Sequence, residues 1–330
     1  MRLQDAVNLA DPFFIQSVDG EIHRLPGAAD FVRELNAAPV RYVLDDASAA
    51  LVTMTAFAEK NMLCASLDLL RFPSTAFWME WSEQGRAKYM KKFDLMDSMR
   101  DTSMLGRAGA FVKADESGRR GEIAIFWENA DGAPDLAPFL IEFDFDDPHF
   151  NKRQDKNLFV RGLQLNEPSP LQALFNCTRY RLMEPWRAYY QRNANTPAEF
   201  KDTVHRSLCS ISGDLPFIAA FCLVLSARGA LRYQASDLKR LNTARLRKGR
   251  SALLDHLTVS LELDAVAGDG GASGGDLRTA PRLHHVCGHL VRRGAGLHWR
   301  RSHLRGNPQL GLISTRTIRV RTSASARRVN

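Results

Sequence analysis

The amino-acid sequence predicts an α+β protein: an antiparallel β-meander with helices, followed by a basic C-terminal antiparallel β module. Four strand-like segments follow one another between residues 76 and 146, and consecutive strands with short connections favour antiparallel pairing. Residues 151–235 have mainly helical character, and a charged helix and alternating, arginine-rich segments complete the chain. We therefore expect divisions at 1–150, 151–235 and 236–322, with a disordered tail at 323–330.

The elements of the first division follow from local patterns. Asp45 or Asp46 can cap a helix in ASAALVTMTAFAEKN, where apolar residues recur at helical spacing. The meander strands are predicted at Ala76–Trp81, Arg107–Lys113, Gly121–Glu128 and Pro138–Asp146. In the last of these, Ile141, Phe143 and Phe145 alternate with acidic residues. We expect the helices to cover one face of this sheet.

The later helices have recognisable starts. Thr196 followed by Pro197 is typical of a helix start, because the hydroxyl caps backbone N–H groups and proline suits the first turn. A second helix is predicted from Asp214, and its apolar residues surround most of it, which indicates burial. Ser236 is predicted to cap a third helix, DLKRLNTARLRK, closed by Gly249. The strand-like HLTVSLEL follows.

Charge is unevenly distributed along the chain. Residues 281–330 hold eleven arginines and no lysine, aspartate or glutamate. Residues 1–280 hold the other 34 basic side chains together with all 37 acidic ones. A nearly neutral body with a cationic end indicates a polyanionic partner: nucleic acid first, an acidic protein second.

Other patterns limit the compartment and the chemistry. The five cysteines are odd in number and none are spaced as CxxC, which favours unpaired thiols in a reducing compartment. The N-terminus lacks a signal-peptide core, and the most apolar run is too short to cross a bilayer. We expect a cytoplasmic protein with no membrane partner. Common nucleotide-binding, zinc-protease and esterase motifs are missing from the sequence, so we expect no cofactor and favour a non-enzymatic role.

The stretch HHVCGHLVRRGAGLHWRRSHLRG, residues 284–306, contains five histidines and five arginines. Strands are predicted at 284–291 and 297–303, with a third at 313–321. Arginine binds phosphate oxygens in a forked geometry, and tryptophan can stack on a base. The predicted nucleic-acid contacts are Arg292, Arg293, Trp299, Arg300, Arg301, Arg305, Arg316, Arg319 and Arg321.

The histidines allow two further hypotheses. His285, Cys287 and His289 fall at alternate positions of a predicted strand and could bind zinc, with His303 from the neighbouring strand. This spacing is not that of a common zinc module, so we expect no metal. His285, His289 and His303 could instead supply the acid and base of a nuclease. A basic strand pair without chemistry is the simplest interpretation of the same residues.

An acidic group lies at the end of the meander. Glu142, Asp144, Asp146 and Asp147, with His149, could bind Mg²⁺. The favoured interpretation is a solvated face of an antiparallel sheet. A third possibility is that these acids neutralise the arginine-rich end of the same chain.

Several passages resemble one protein family. They are RFPSTAFWMEW at 71–81, LNTARLRKGRSALLDH at 241–256, HHVCGHLVRR at 284–293, WRRSHLRG at 299–306 and TRTIRVR at 315–321. Together they resemble an uncharacterised phage and prophage family. The resemblance implies a bacterial-virus context and a host-cell cytoplasm, without indicating a chemistry. It also implies that Cys287 is not an obligate metal ligand, because relatives carry arginine at that position while His285 and His289 match.

Three functions are consistent with these patterns. A phage-type nucleic-acid-binding protein, whose C-terminal sheet contacts phosphates, is favoured. A metal-independent or metal-assisted nuclease using the C-terminal histidines is the second. The third is a virion or host-interaction protein without catalytic activity.

Overall fold

A computed structural model of the chain confirms the α+β class. It describes residues 2–9, 14–16, 22–24, 28–86, 106–128, 132–153, 160–165, 167–227, 230–261, 282–286, 289–294, 296–300, 303–305 and 307–312. The chain divides into two compact units, Met1–Glu262 with Leu290–His298, and Leu263–His289 with Trp299–Asn330. The division therefore falls after Glu262, and residues 236–261, expected in the C-terminal module, belong to the first unit.

Nine α-helices are described, and the third and the seventh begin at a side chain that caps them. In order they are α1 (Leu3–Leu9), α2 (Ala28–Ala37), α3 (Asp46–Thr53), α4 (Lys60–Ala65), α5 (Gln172–Asn176), α6 (Glu184–Asn193), α7 (Pro197–Ser212), α8 (Asp214–Ser226) and α9 (Lys239–Arg247). The Asp45 carboxylate accepts from the N–H of Ser48 at 2.8 Å, and the Thr196 hydroxyl accepts from the N–H of Glu199 at 3.1 Å. Both predicted caps are confirmed.

The first unit is organised around a mixed, nine-stranded sheet in the order β10-β11-β3-β4-β5-β6-β7-β9-β8. Its strands are β3 (Val40–Leu44), β4 (Ala76–Ser82), β5 (Arg107–Ala114), β6 (Arg120–Glu128), β7 (Pro134–Asp144), β8 (Val160–Arg161), β9 (Thr178–Leu182), β10 (Leu231–Ala235) and β11 (Leu257–Leu261). A separate strand pair joins β1 (Phe14–Gln16) and β2 (Ile22–Arg24).

The predicted meander is confirmed, but the sheet extends beyond it. Strands β4 to β7 pair antiparallel in chain order. Strand β3 runs parallel to both β4 and β11, and β8, β9 and β10 arise from the part expected to be mainly helical. Pairing between distant segments therefore adds strands at both edges of the locally predicted sheet.

Helices pack on both faces of the sheet, so the prediction of one covered face is wrong. On one face Trp78 and Phe111 join a buried cluster with Leu3 and Leu35 from α1 and α2. On the other face Trp81 lies against Phe217 of α8, with ring centroids 4.8 Å apart. The two faces are both apolar because successive side chains of a strand point to opposite sides.

The second unit contains a small mixed sheet. Strand β12 (Arg282–Val286) pairs antiparallel with β15 (His303–Arg305) and parallel with β16 (Asn307–Leu312), which corrects the purely antiparallel expectation. Strands β13 (His289–Arg293) and β14 (Gly296–Arg300) form a separate pair, most of which, Leu290–His298, belongs to the first unit. The segment predicted as one strand, 284–291, thus contributes to two sheets. The third strand predicted at 313–321 and the tail predicted at 323–330 fall outside the described residues.

The continuous helical stretch Pro197–Ser226 is apolar and long enough to cross a membrane. In the structure 72% of its most apolar window is buried inside the protein. Core helices of globular domains pass the same test of length and composition, and the α8 part of this stretch packs against aromatic side chains of the sheet.

Asp135 makes folding stability depend on pH. Burial raises the pKa of its carboxyl to about 6, although its Oδ1 accepts from the N–H of Leu136 at 2.8 Å. The folded pKa lies above the unfolded value of about 3.9. The contribution of this group is therefore fully present below pH 4 and lost as the pH rises through 6. We expect Asp135→Asn to raise the unfolding free energy by about 2 kcal/mol at pH 7.5.

The measurement is urea unfolding of both proteins at pH 4.5 and pH 7.5. The gain should fall to about a third at the lower pH, where the native carboxyl keeps its proton but most of the unfolded chains have lost it. Asp202→Asn, at an exposed ion pair with Arg206, is the control and should change stability little at either pH. An equal gain from Asp135→Asn at both pH values would contradict the assignment.

Candidate nucleic-acid interface

Helix α9 is fixed to the first unit through its inner side. The Asn242 amide donates to the carbonyl of Leu253 at 3.0 Å and accepts from its N–H at 2.8 Å. The Arg245 Nε donates to the carbonyl of Ser251 at 2.9 Å. Gly249, with a φ of 66°, turns the chain after the helix, as expected from the sequence. These contacts bind α9 to the segment that returns to β11.

The predicted cap of α9 is wrong. Helix α9 begins after Leu238 without a side-chain cap. Ser236 instead exchanges two hydrogen bonds with His256: its N–H donates to the His256 carbonyl at 2.8 Å, and its hydroxyl accepts from the His256 N–H at 3.0 Å. Because its hydroxyl and its N–H both bond to the backbone of His256, Ser236 does not cap α9.

A cationic surface covers the outer side of α9. Residues 239–250 contain six basic side chains, and no acidic residue occurs between Asp237 and Asp255. Five of the six are exposed and Arg245 is half-buried. None of them forms an ion pair with another residue that the structure describes. This α9 surface consists of Lys239, Arg240, Arg247, Lys248 and Arg250, whereas Arg245 is directed to the returning segment.

Exposed apolar groups accompany these charges. Tyr233 is 47% exposed, Leu241 48% and Leu246 60%, and within the described residues these are the exposed large hydrophobic side chains. All three lie within or directly before α9, on β10 and on the helix itself. Exposed apolar side chains that cluster with one sign of charge are typical of an interaction surface.

A cavity of about 630 Å³ opens beside the start of α9. Ala235 at the end of β10 and Leu257 at the start of β11 form part of its wall, and Lys239 and Asn242 of α9 form another part. Asp237 and Asp255 also line it, so the cavity itself is not purely cationic.

Arg292, one of the predicted phosphate contacts, is already neutralised. Its guanidinium donates to both carboxylate oxygens of Asp68, at 2.9 and 2.7 Å, and to the carbonyl of Ala65. The hydrogen bonds from Arg292 hold the pKa of Asp68 below its ordinary value. A paired arginine offers less to a phosphate, and this ion pair joins β13 to the segment after α4 within the first unit.

The other predicted residues have varied positions. Arg293 and Arg300 are exposed and form no ion pair with a described residue, whereas Trp299 is half-buried. Arg305 lies in β15, where its backbone pairs with His284. The remaining predicted contacts fall outside the part of the chain that the structure describes, and these are Arg301, Arg316, Arg319 and Arg321.

The histidine row is divided between elements. His285 lies in β12 and His289 in β13, which belong to different sheets. Residue Cys287 falls outside the described residues. In the β12–β15 pair His285 is opposite Leu304, and His303 is opposite Val286. Among the described residues no group of histidine, cysteine and acidic side chains suits a metal ion.

The acidic group of β7 is paired with arginines from the same sheet. Glu142 accepts from Arg179 at 2.5 Å and from Arg181 at 2.7 Å. The ion pairs of the following acids are Arg120 with Asp144 at 3.2 Å, Arg119 with Asp146 at 2.6 Å, and Arg153 with Asp147 at 2.7 Å. The β7 acids are thus neutralised within the first unit, which replaces the hypothesis that they cover the arginine-rich end.

Two buried charge clusters underlie the sheet, and sequence inspection missed both. Glu80 is fully buried and forms an ion pair with Arg107 at 3.0 Å. Arg86 is 1% exposed and lies between two buried carboxylates, Glu83 and Asp214. Acidic residues alternating with aromatic ones would ordinarily indicate a solvated strand face. The local sequence therefore does not indicate that these carboxylates are buried.

The strongest surface feature of the described residues is therefore the α9 surface. The sequence predicted the charged helix, but the predicted nucleic-acid contacts lay in residues 292–321 instead. The absence of acids between Asp237 and Asp255 was the signal of the α9 surface. Comparison of the chain with protein-family models, with curated proteins and with solved structures finds no match.

Proposed function

We propose that this protein binds nucleic acid, and that the α9 surface of the first unit contacts the phosphate backbone. The observation that supports it is the run of six basic side chains in residues 239–250 with no acidic residue among them. Lysine and arginine surfaces of soluble proteins usually mix with acids. A surface of one sign lowers the free energy of a bound polyanion by releasing its counterions.

Other arginines of the first unit can be compared with the cations of α9. Arg119, Arg120, Arg179 and Arg181 each have a carboxylate partner within the first unit. The α9 cations lie in the same unit, which contains many acids, yet none of the described acids is paired with them. This contrast favours an external anion as their partner.

The geometry of α9 suits a phosphate backbone. Arg240 and Arg247 are seven residues apart, so they lie on the same side of the helix, about 10 Å apart along its axis. The inner side is occupied by the Asn242 and Arg245 bonds to the returning segment. The helix is therefore held rigidly with its cations directed outwards. The resemblance to a phage family supports a role in a bacterial host cytoplasm.

Removing two of these cations tests the proposal. We expect Arg240→Ala/Arg247→Ala to weaken binding of a labelled oligonucleotide of about 20 nucleotides by about tenfold or more. The slope of log affinity against log salt concentration should fall by about two units, because two phosphate contacts are lost. Fluorescence polarisation across a salt series measures both quantities.

The matched control removes the same charge from other helices. Arg33 and Arg206 are 73% and 69% exposed, and Arg33→Ala/Arg206→Ala should leave both the affinity and the salt slope close to those of the native protein. Equal losses for the two double variants would show only a net-charge effect. Purification at low salt with an acidic protein, and no absorbance from nucleic acid, would favour the interaction-protein alternative instead.

A further inference from the structure

We infer that the α9 surface selects single-stranded nucleic acid, with one base stacking on Tyr233 and a neighbouring base entering the cavity beside α9. This inference rests on the proposed function and specifies its ligand. It joins three features of the first unit: the cations of α9, the exposed ring of Tyr233 on β10, and the cavity lined by Ala235 of β10 and Lys239 of α9.

Tyr233 has the geometry of a stacking platform. It lies on β10, the edge strand of the nine-stranded order, and is 47% exposed. Its ring is backed by Tyr42, with centroids 6.4 Å apart, and Tyr42 in turn packs edge-on against Phe221 at 5.5 Å. One side of the Tyr233 ring is thus fixed by the aromatic core, while the rest is accessible. A fixed ring loses little conformational entropy when a base stacks on it.

The cavity continues this platform. Ala235 lies two residues after Tyr233, on the same face of β10, and forms part of the cavity wall. The volume of about 630 Å³ falls within the range of small-molecule sites and exceeds that of a single nucleobase. Lys239, the first residue of α9, also lines the cavity, as do Asp237 and Asp255. Asn242, also in the wall, uses its amide within the protein, so we expect shape and stacking, not an amide contact, to hold the base.

A duplex could use only part of this surface. Its bases are stacked and paired inside the helix, so an intact duplex offers phosphates to Arg240 and Arg247 but no free base to Tyr233 or to the cavity. A single strand offers both kinds of group at once. The exposed Leu241 and Leu246, at 48% and 60%, also favour a ligand with accessible apolar ring faces.

The test compares one labelled oligonucleotide as a single strand and as a duplex with its complement. We expect the single strand to bind at least about tenfold more tightly, and Tyr233→Leu to weaken single-strand binding about five- to tenfold while leaving the duplex unchanged. Leucine keeps the apolar packing against Tyr42 but removes the aromatic face. Tyr233→Phe keeps that face and should bind as the native protein does.

The outcomes separate this inference from the proposed function. Equal or tighter duplex binding, or a Tyr233→Leu effect of the same size on both forms, would overturn the single-strand inference while salt-sensitive binding through Arg240 and Arg247 survives. If the arginine double variant bound both the single strand and the duplex as tightly as its control does, the proposed function itself would be overturned. Circular dichroism of Tyr233→Leu confirms that the sheet is retained.

Discussion

Replacing Arg86 with methionine should lower the unfolding free energy by about 3–5 kcal/mol, the cost of leaving buried charge without its partner. The Arg86 Nη1 lies 2.7 Å from Asp214 and 3.2 Å from Glu83, whose side chains are 2% and 0% exposed. Its guanidinium also lies over the ring of Phe217, 4.8 Å from the centroid. Methionine fills a similar volume but removes the positive charge from between two carboxylates.

Urea unfolding at pH 7.5 measures this loss. Arg187→Met is the matched control, because Arg187 is 36% exposed and its ion pair with Glu184 is long, at 3.6 Å. This substitution should lower the unfolding free energy by under about 1 kcal/mol. Arg86→Lys keeps the charge and should recover part of the stability, which makes the test informative even if Arg86→Met does not fold. A loss for Arg86→Met no larger than that of the control would show that the cluster contributes nothing.

Replacing Glu80 with alanine should be nearly as costly, about 3–4 kcal/mol. Its Oε1 accepts from Arg107 at 3.0 Å, and its Oε2 accepts from the N–H of Gln4 at 2.9 Å and the indole N–H of Trp78 at 3.2 Å. Alanine leaves two buried donors without an acceptor and Arg107 without its counter-charge. The bond to Gln4 also holds α1 against the sheet, so we expect the backbone amides of this helix to lose their protection from hydrogen exchange first.

The control for Glu80 lies on the same sheet. Glu122 is 27% exposed and pairs with Lys113 and Arg181, and Glu122→Ala should cost under about 1 kcal/mol. A double-mutant cycle with Arg107→Ala separates the ion pair from the two neutral hydrogen bonds, and we expect a coupling above about 1 kcal/mol. Additive losses, with no coupling between Glu80 and Arg107, would contradict the direct pairing.

Local sequence patterns predicted those helices and strands that depend on interactions between neighbouring residues. The Thr196 hydroxyl and Pro197 act within one helical turn, and the helix begins there. The alternation in β7 leaves Ile141, Phe143 and Phe145 buried, at 0%, 1% and 6% exposure. Strand β9, with the sequence TRYRL, was missed because its burial on the sheet depends on pairing with β7, about forty residues earlier in the chain.

The candidate interface was predicted only in part for the same reason. The sequence shows that residues 239–250 and 281–330 are rich in cations, but not which of them are neutralised. Asp68 and Arg292 are 224 residues apart and form a bidentate ion pair, whereas Arg240 and Arg247 have no such partner among the described residues. Likewise the sequence does not distinguish Tyr233 from other strand residues, because its exposure depends on the position of β10 at the edge of the sheet.

The sequence by itself determined the α+β class, the meander, the start of α7 and the two cationic segments, because periodicity, capping and composition act over a few neighbouring residues. Only the tertiary structure decided that both sheet faces are covered, that Glu80 and Arg86 carry buried charge, and that α9 retains exposed cations beside Tyr233 and a cavity. These properties depend on which distant segments come into contact. Coulombic pairing and burial are set by separation in space, and a linear pattern does not specify it.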